Sequence, residues 1–291
     1  MDYMKDYTNP DGIVSTEWLA QHLYASETRV VDASWWPQGT QRNGREEYLD
    51  THIPGAVFFD IDDIADSAAP LPRMLPPAEV FANKVERLGL GDEHHIIIYD
   101  NVGGASAAAR AWWMFRVFGH TNVAVLAGGF PKWLREQRTV EETVPILSPA
   151  LFKPRQNLSL LRSLEQVRED LDTHLEQIID GRRAERYHAQ QHTLGPGSRA
   201  GHIPGSINLP VLELVDQREL TLLPADSLQQ CFESHGVDLN RPVIATCGEG
   251  VTCCLITLGL YLLGKTDVAN YDGSWVEWDA HDELPRELEK S

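Results

Sequence analysis

"REEYLDTHIPGAVFFDI" (residues 45–61) and "SRAGHIPGSINLPVL" (residues 198–212) carry the same His-Ile-Pro-Gly turn, His52 to Gly55 in one and His202 to Gly205 in the other. Each turn precedes a short apolar run, and each follows a strand-like segment ending in Asp, "RVVD" at 29–32 and "QIID" at 177–180. The likeness continues downstream. "HHIIIYDNVGGASAAARAWWMFRVFGHTNVAVLAGGFPKW" answers "PVIATCGEGVTCCLITLGLYLLGKTDVANYDGSWVEW", with Val123 and Val268, Gly128 and Gly273, and Trp133 and Trp278 each 145 positions apart by their numbers. A period this long means a duplicated domain, not a solenoid of small repeats.

The 291 residues suffice for two domains, each expected to bury its own core. We place the first at 13–138 and the second at 160–291. The proline-punctuated stretch 139–159, without sustained periodicity, is read as a linker crossed by few contacts. Within each half, short β-branched runs alternate with helical stretches such as "STEWLAQHLY" and "SAAARAWWMFRVFG". That alternation predicts an α/β fold, a mainly parallel sheet flanked by helices in each domain. Ligands of such sheets gather at the carboxyl ends of the strands.

Composition narrows the function. With 43 acidic against 25 basic residues and a net charge of −18, no basic face could dominate, so nucleic acid and anionic membrane are excluded as expected partners. No stretch is apolar for the ~20 residues a spanning helix needs, and the start "MDYMKDYTNPDGIV" has no charged and apolar leader pattern; the expectation is a cytoplasmic protein. Cys231, Cys247, Cys253 and Cys254 are too few and too bunched for a disulfide framework, and no paired zinc-spaced motif accompanies them, so no metal is expected.

A catalytic thiol remains. Cys247 ends the run "PVIAT" and opens Cys247-Gly248-Glu249-Gly250-Val251-Thr252, ahead of an apolar helix. The glycines permit a tight arc of inward-pointing N–H groups, and the helix start adds partial positive charge, a cradle for an anion. A thiolate held there has a lowered pKa and is nucleophilic near neutrality. The first half has Asp100 at the matching place, and a carboxylate cannot do thiol chemistry, so only the second half is expected to react. His52 and His202 recur in both halves, the one without a cysteine included, and are read as fixing turns. Trp112, Trp113, Trp133 and Trp278 are read as core, and Arg182 and Arg183 as exposed helical arginines.

Together these features resemble the two-domain rhodanese and 3-mercaptopyruvate sulfurtransferase family across nearly the whole chain. The first-domain stretches "DASWW", "EYLDTHIPGAVFFDID", "MLPPAEVFA" and "ARAWWMFRVFGH" are most similar to the mercaptopyruvate branch. The resemblance implies a site between two rhodanese-like domains and a ping-pong reaction. Cys247 takes a sulfane sulfur from a small thio-donor and passes it as a persulfide to a thiol such as thioredoxin or a low-molecular-weight thiol, or to cyanide, with no cofactor. Thiosulfate as donor, or a persulfide carrier without turnover, are the alternatives. It further implies that Arg186 holds the donor's anionic group; the branch's second arginine, in a Pro-Arg-x-Gly stretch, is missing from its place in "LGPGSRAGHIPG", and Arg199 is the residue that could reach the same group. Asp62 matches an aspartate of a relay in that branch, but Arg73 replaces its histidine and Glu249 its loop serine. A Glu249–Arg73 ion pair across the domain interface would compensate both changes. A phosphatase of rhodanese-like ancestry needs a longer loop closing on an arginine fork; Cys253 stands there instead, so that activity is excluded.

Overall fold

The computed structural model describes residues 3–37, 39–103, 106–189 and 200–288. Its strands are β1 (Ile13–Val14), β2 (Thr28–Asp32), β3 (Val57–Phe58), β4 (His95–Tyr99), β5 (Val123–Leu126), β6 (Leu161–Arg162), β7 (Gln177–Asp180), β8 (Ile207–Asn208), β9 (Val215–Asp216), β10 (Thr221–Leu222), β11 (Val243–Thr246) and β12 (Val268–Tyr271). Two five-stranded sheets result, ordered β1-β5-β4-β2-β3 and β6-β12-β11-β7-β8, with parallel pairing throughout. The orders are identical once the repeat is allowed for. β9 and β10 form a small antiparallel hairpin apart from both sheets.

The central strands read as unbroken apolar runs because helices cover both faces. Ile96, Ile97 and Ile98 of β4 and all of β11 are buried. Each is followed by an apolar helix, Ser106–Val117 in the first domain and Cys254–Leu262 in the second, and these two helices pack on each other. Trp112 meets Tyr261 at 5.3 Å between ring centroids across this contact. A helix apolar on all sides needs cover on all sides, and here the partner domain supplies it.

The core therefore departs from the expectation of two separate ones. Small outer clusters belong to single domains, one around Leu19, Tyr48 and Trp133, the other around Val167, Tyr271 and Trp278. The inner faces merge into one cluster running from Val31, Ile98 and Phe115 to Ile179, Leu255 and Val268.

Segment 139–159 is also more firmly attached than a free tether. Phe152 is buried, and backbone bonds run from Arg155 to Phe118 (2.8 Å) and from Asn157 to Val117 (2.7 Å). At the other end of the chain, Asn9 N–H donates to Leu262 O (3.2 Å) and the Tyr7 hydroxyl to Leu223 O (2.6 Å), so the first residues lie on the second domain.

Both His-Ile-Pro-Gly turns are built alike. His52 Nδ1 donates to Tyr48 O (2.7 Å) and His202 Nδ1 to Tyr187 O (3.0 Å), each ring stacked on that tyrosine. The backbones pair with Glu141 and Glu287, whose carboxylates accept the N–H of Gly55 and Gly205. These histidines serve turn geometry. Among the described residues, no helix is long and apolar enough to cross a membrane.

Candidate active site

Cys247 follows β11, the middle strand of its sheet, whose neighbours are β7 and β12. It therefore sits where the carboxyl-end loops converge. The residue is 1% exposed. Burial opposes its ionisation, but the side chains of Cys253 and Thr252 and the backbone N–H groups of Cys253 and Glu249 hydrogen-bond the sulfur and prevail, lowering its pKa to about 5. The Cys253 thiol itself is pushed up, first by burial and then by the Cys247 sulfur beside it. One of the pair is thus a thiolate at neutral pH, and it is Cys247.

The two cradle glycines are not equivalent. Gly250 has φ +77°, and a Cβ there would lie 2.4 Å from Asp272 O, so the arc needs glycine. Gly248 has no such neighbour and no positive φ, so the arc rests on one glycine, not two. The loop's outer carbonyls are tied down as well: Trp275 N–H donates to Cys247 O and Val276 N–H to Gly248 O, both at 3.0 Å.

The first domain shows the same cradle already filled. Asp100 turns its carboxylate into it and accepts from the N–H groups of Val102 (3.0 Å), Gly103 (3.2 Å), Ala107 (3.1 Å) and Ala108 (3.0 Å). Phe130 N–H caps Asp100 O at 3.0 Å, as Trp275 caps Cys247. Burial raises the Asp100 carboxyl above the ordinary range, and the four amides oppose that rise.

Glu249 does face Arg73. Arg73 Nη2 lies 2.6 Å from Glu249 Oε2, and the same guanidinium reaches Asp62 Oδ1 at 3.1 Å. Trp35 packs against it, with the guanidinium carbon 5.0 Å from the ring centroid, and donates its own N–H to Asp62 Oδ2 (2.9 Å). One cation shared by two carboxylates leaves a formal charge of −1 beside the cradle, so the compensation expected from a simple pair is incomplete.

Sequence reasoning missed the group that holds this arrangement. Arg110, fully buried in the helix Ser106–Val117, donates to Gly250 O (3.1 Å), Asp272 Oδ1 (2.6 Å) and Arg73 O (2.6 Å). Asp272 in turn accepts from Leu75 N–H at 2.7 Å. A guanidinium inside an apolar helix was the available signal, since a buried charge must have partners. Arg182 also departs from expectation. It is buried, not exposed, forked onto Asp180 at 2.7–3.0 Å and stacked over Trp275. Arg186 lies exposed on the short helix Ala184–Tyr187 beyond β7, the strand next to β11. Arg199 lies outside the described residues.

A surface cavity of about 730 Å³ holds no cysteine. It is lined by Arg162, Glu176, Pro242 and Asp267, at the amino ends of β7, β11 and β12, on the side of the sheet away from Cys247. The chemistry lies at the opposite edge.

Comparison with known proteins agrees with this geometry. The rhodanese-like domain model matches residues 15–136 and again 163–281. The chain belongs to the rhodanese-like sulfurtransferase family. It is 45% identical over 272 residues to thiosulfate sulfurtransferase of Bos taurus, covering 91% of each chain. It is 40% identical over 271 residues to 3-mercaptopyruvate sulfurtransferase of Homo sapiens, again covering 91% of each. The crystal structure of the 3-mercaptopyruvate sulfotransferase SseA of Escherichia coli superposes with a TM-score of 0.83 at 39% identity, covering 91% of this chain and 98% of that one. The enzyme class is thus sulfurtransferase, acting on small sulfur donors. The two donor names divide among relatives of similar identity.

Proposed function

We propose that the enzyme moves sulfane sulfur from 3-mercaptopyruvate through a persulfide on Cys247 to a thiol acceptor. The observation that carries the reading is the Cys247 sulfur, ionised near neutral pH inside an amide cradle. The thiolate attacks the donor's sulfur, a sulfur–sulfur bond forms and the carbon–sulfur bond breaks. The electron pair leaves with carbon as the enolate of pyruvate, which takes up a proton. An acceptor thiolate, from thioredoxin or a small thiol, then attacks the outer sulfur and Cys247 departs as thiolate. A leaving thiol of low pKa departs faster, so the cradle serves both half-reactions.

Donor choice rests on the Glu249–Arg73–Asp62 cluster. Its residual negative charge penalises a dianion such as thiosulfate more than a monocarboxylate. Arg186, near the same strand ends, is assigned to the donor's anionic group. Asp100 makes the first domain silent, and the domain limits 13–138 and 160–291 follow from the repeat. Free cysteines suit a reducing compartment, for which we propose the cytoplasm, although a relative from Arabidopsis thaliana is named mitochondrial.

Mass spectrometry after incubation with each donor tests the reading. Addition of one sulfur on Cys247, absent in Cys247→Ser, is the expected result; no addition with either donor overturns it.

A further inference from the structure

Away from the active site, among the described residues, one grouping of three side chains has metal-ligand chemistry with its donor atoms mutually within 4.8 Å: Glu213, Cys231 and His235. Glu213 lies on the 3-10 turn Val211–Leu214, and Cys231 on the helix Ala225–Ser234, whose C-cap is His235. Residues four apart on a helix share a face, so the thiol and the imidazole point the same way.

The imidazole is already oriented. Its Nδ1 donates to Cys231 O at 2.9 Å, which turns Nε2 toward Glu213 Oε2, 3.3 Å away. A ligating histidine is commonly held this way, by a backbone carbonyl on its far nitrogen. The Cys231 sulfur lies 3.5 Å from the backbone carbonyl of Glu213, which brings thiol and carboxylate to one place. Among the described residues the Cys231 thiol has no acceptor but that carbonyl, and its sulfur lies within 4.8 Å of the imidazole and carboxylate atoms.

We propose that Glu213, Cys231 and His235 form a three-ligand zinc site, with the fourth position open to water. Zinc bonds of about 2.0–2.3 Å in a tetrahedron put neighbouring ligand atoms roughly 3.3–3.6 Å apart. The imidazole and carboxylate already meet that spacing. A mixed sulfur, nitrogen and oxygen set selects zinc over magnesium or calcium, which take oxygen ligands. Binding exchanges the thiol proton for the metal, one proton released per ion.

The site would act as a brace. It clips the outer helix to a turn that packs against the helix Cys254–Leu262, the helix that follows the cradle. Sequence spacing hides it, because Glu213 stands 18 residues before Cys231.

Cobalt(II) is the probe, titrated into the full-length Cys247→Ser chain so that the active-site thiolate cannot contribute. The expected result is one equivalent bound, with a thiolate-to-cobalt charge-transfer band that zinc bleaches. Cys231→Ser should abolish the band. His235→Gln and Glu213→Gln should each weaken binding by more than about tenfold, the loss that even outer partners of a ligand can cause. Zinc should raise the thermal unfolding midpoint of the parent by a few degrees and leave that of Cys231→Ser unmoved. A band that survives Cys231→Ser, or none at saturating cobalt, overturns the proposal. Circular dichroism of the half-exposed Cys231→Ser variant checks that it is folded. None of these readouts is turnover, so their failure leaves the sulfur-transfer reading standing.

Discussion

Arg110 of the first domain donates a hydrogen bond of 3.1 Å to the carbonyl of Gly250, at the centre of the loop that arcs over Cys247 in the second. The first domain thus forms the floor beneath the Cys247 loop, with Asp272 as the counter-charge. Removing one member of a buried pair leaves the other uncompensated. Arg110→Met should cost about 3–5 kcal/mol in urea unfolding, and Arg110→Met with Asp272→Leu should recover much of it. Activity should not return in the double variant, because Gly250 O still lacks its donor. A single variant within about 0.5 kcal/mol of the parent would remove Arg110 from this role.

Acid should shut down the first half-reaction. The Cys247 pKa near 5 lies below that of a free thiol, so the thiolate persists above pH 5 and is lost as pH falls through that value. The rate of persulfide formation, followed by stopped flow with excess donor, should be level from pH 6 to 8 and inflect near 5. An inflection at about 8.5, the free-thiol value, contradicts the cradle account.

Charge at position 249 should grade donor preference. Glu249→Gln takes the cluster with Arg73 and Asp62 from −1 to neutral, and Glu249→Lys takes it to +1. The ratio of kcat/KM for thiosulfate to that for mercaptopyruvate should rise in that order. A ratio that stays flat, or falls, shows that this cluster does not select the donor.

Asp100 should matter for folding and not for turnover. Asp100→Ala leaves four amide N–H groups without their acceptor, three of them buried, and each buried one costs about 1–3 kcal/mol. Unfolding in urea should shift markedly downward, while kcat per folded molecule holds. Unchanged stability would mean that the amides find other acceptors.

The repeat made most of this legible. Strand, turn and helix order could be read twice over, and Cys247 could be set against Asp100 at the matching position, while the facing of Glu249 with Arg73 came from the family resemblance. Arg182 was misjudged because a helical start suggested exposure, whereas Asp180 two residues earlier folds the guanidinium back under Trp275. Arg110 and Asp272 escaped notice for a different reason. They are 162 positions apart and meet only when the domains close, so no local pattern links them. The shared core was hidden likewise, since an all-apolar helix does not say which neighbour covers it.

The packing of Ser106–Val117 on Cys254–Leu262 sets a timetable for biosynthesis. The first helix leaves the ribosome well before its partner, and at 5–20 residues per second the gap is roughly 7–30 s. Through that interval an aromatic-rich face carrying Trp112 stands without its cover, and Tyr7 and Asn9 wait for carbonyls at Leu223 and Leu262. The nascent first half is therefore a natural client for chaperones, and its solubility in the cell depends on how quickly the second half arrives.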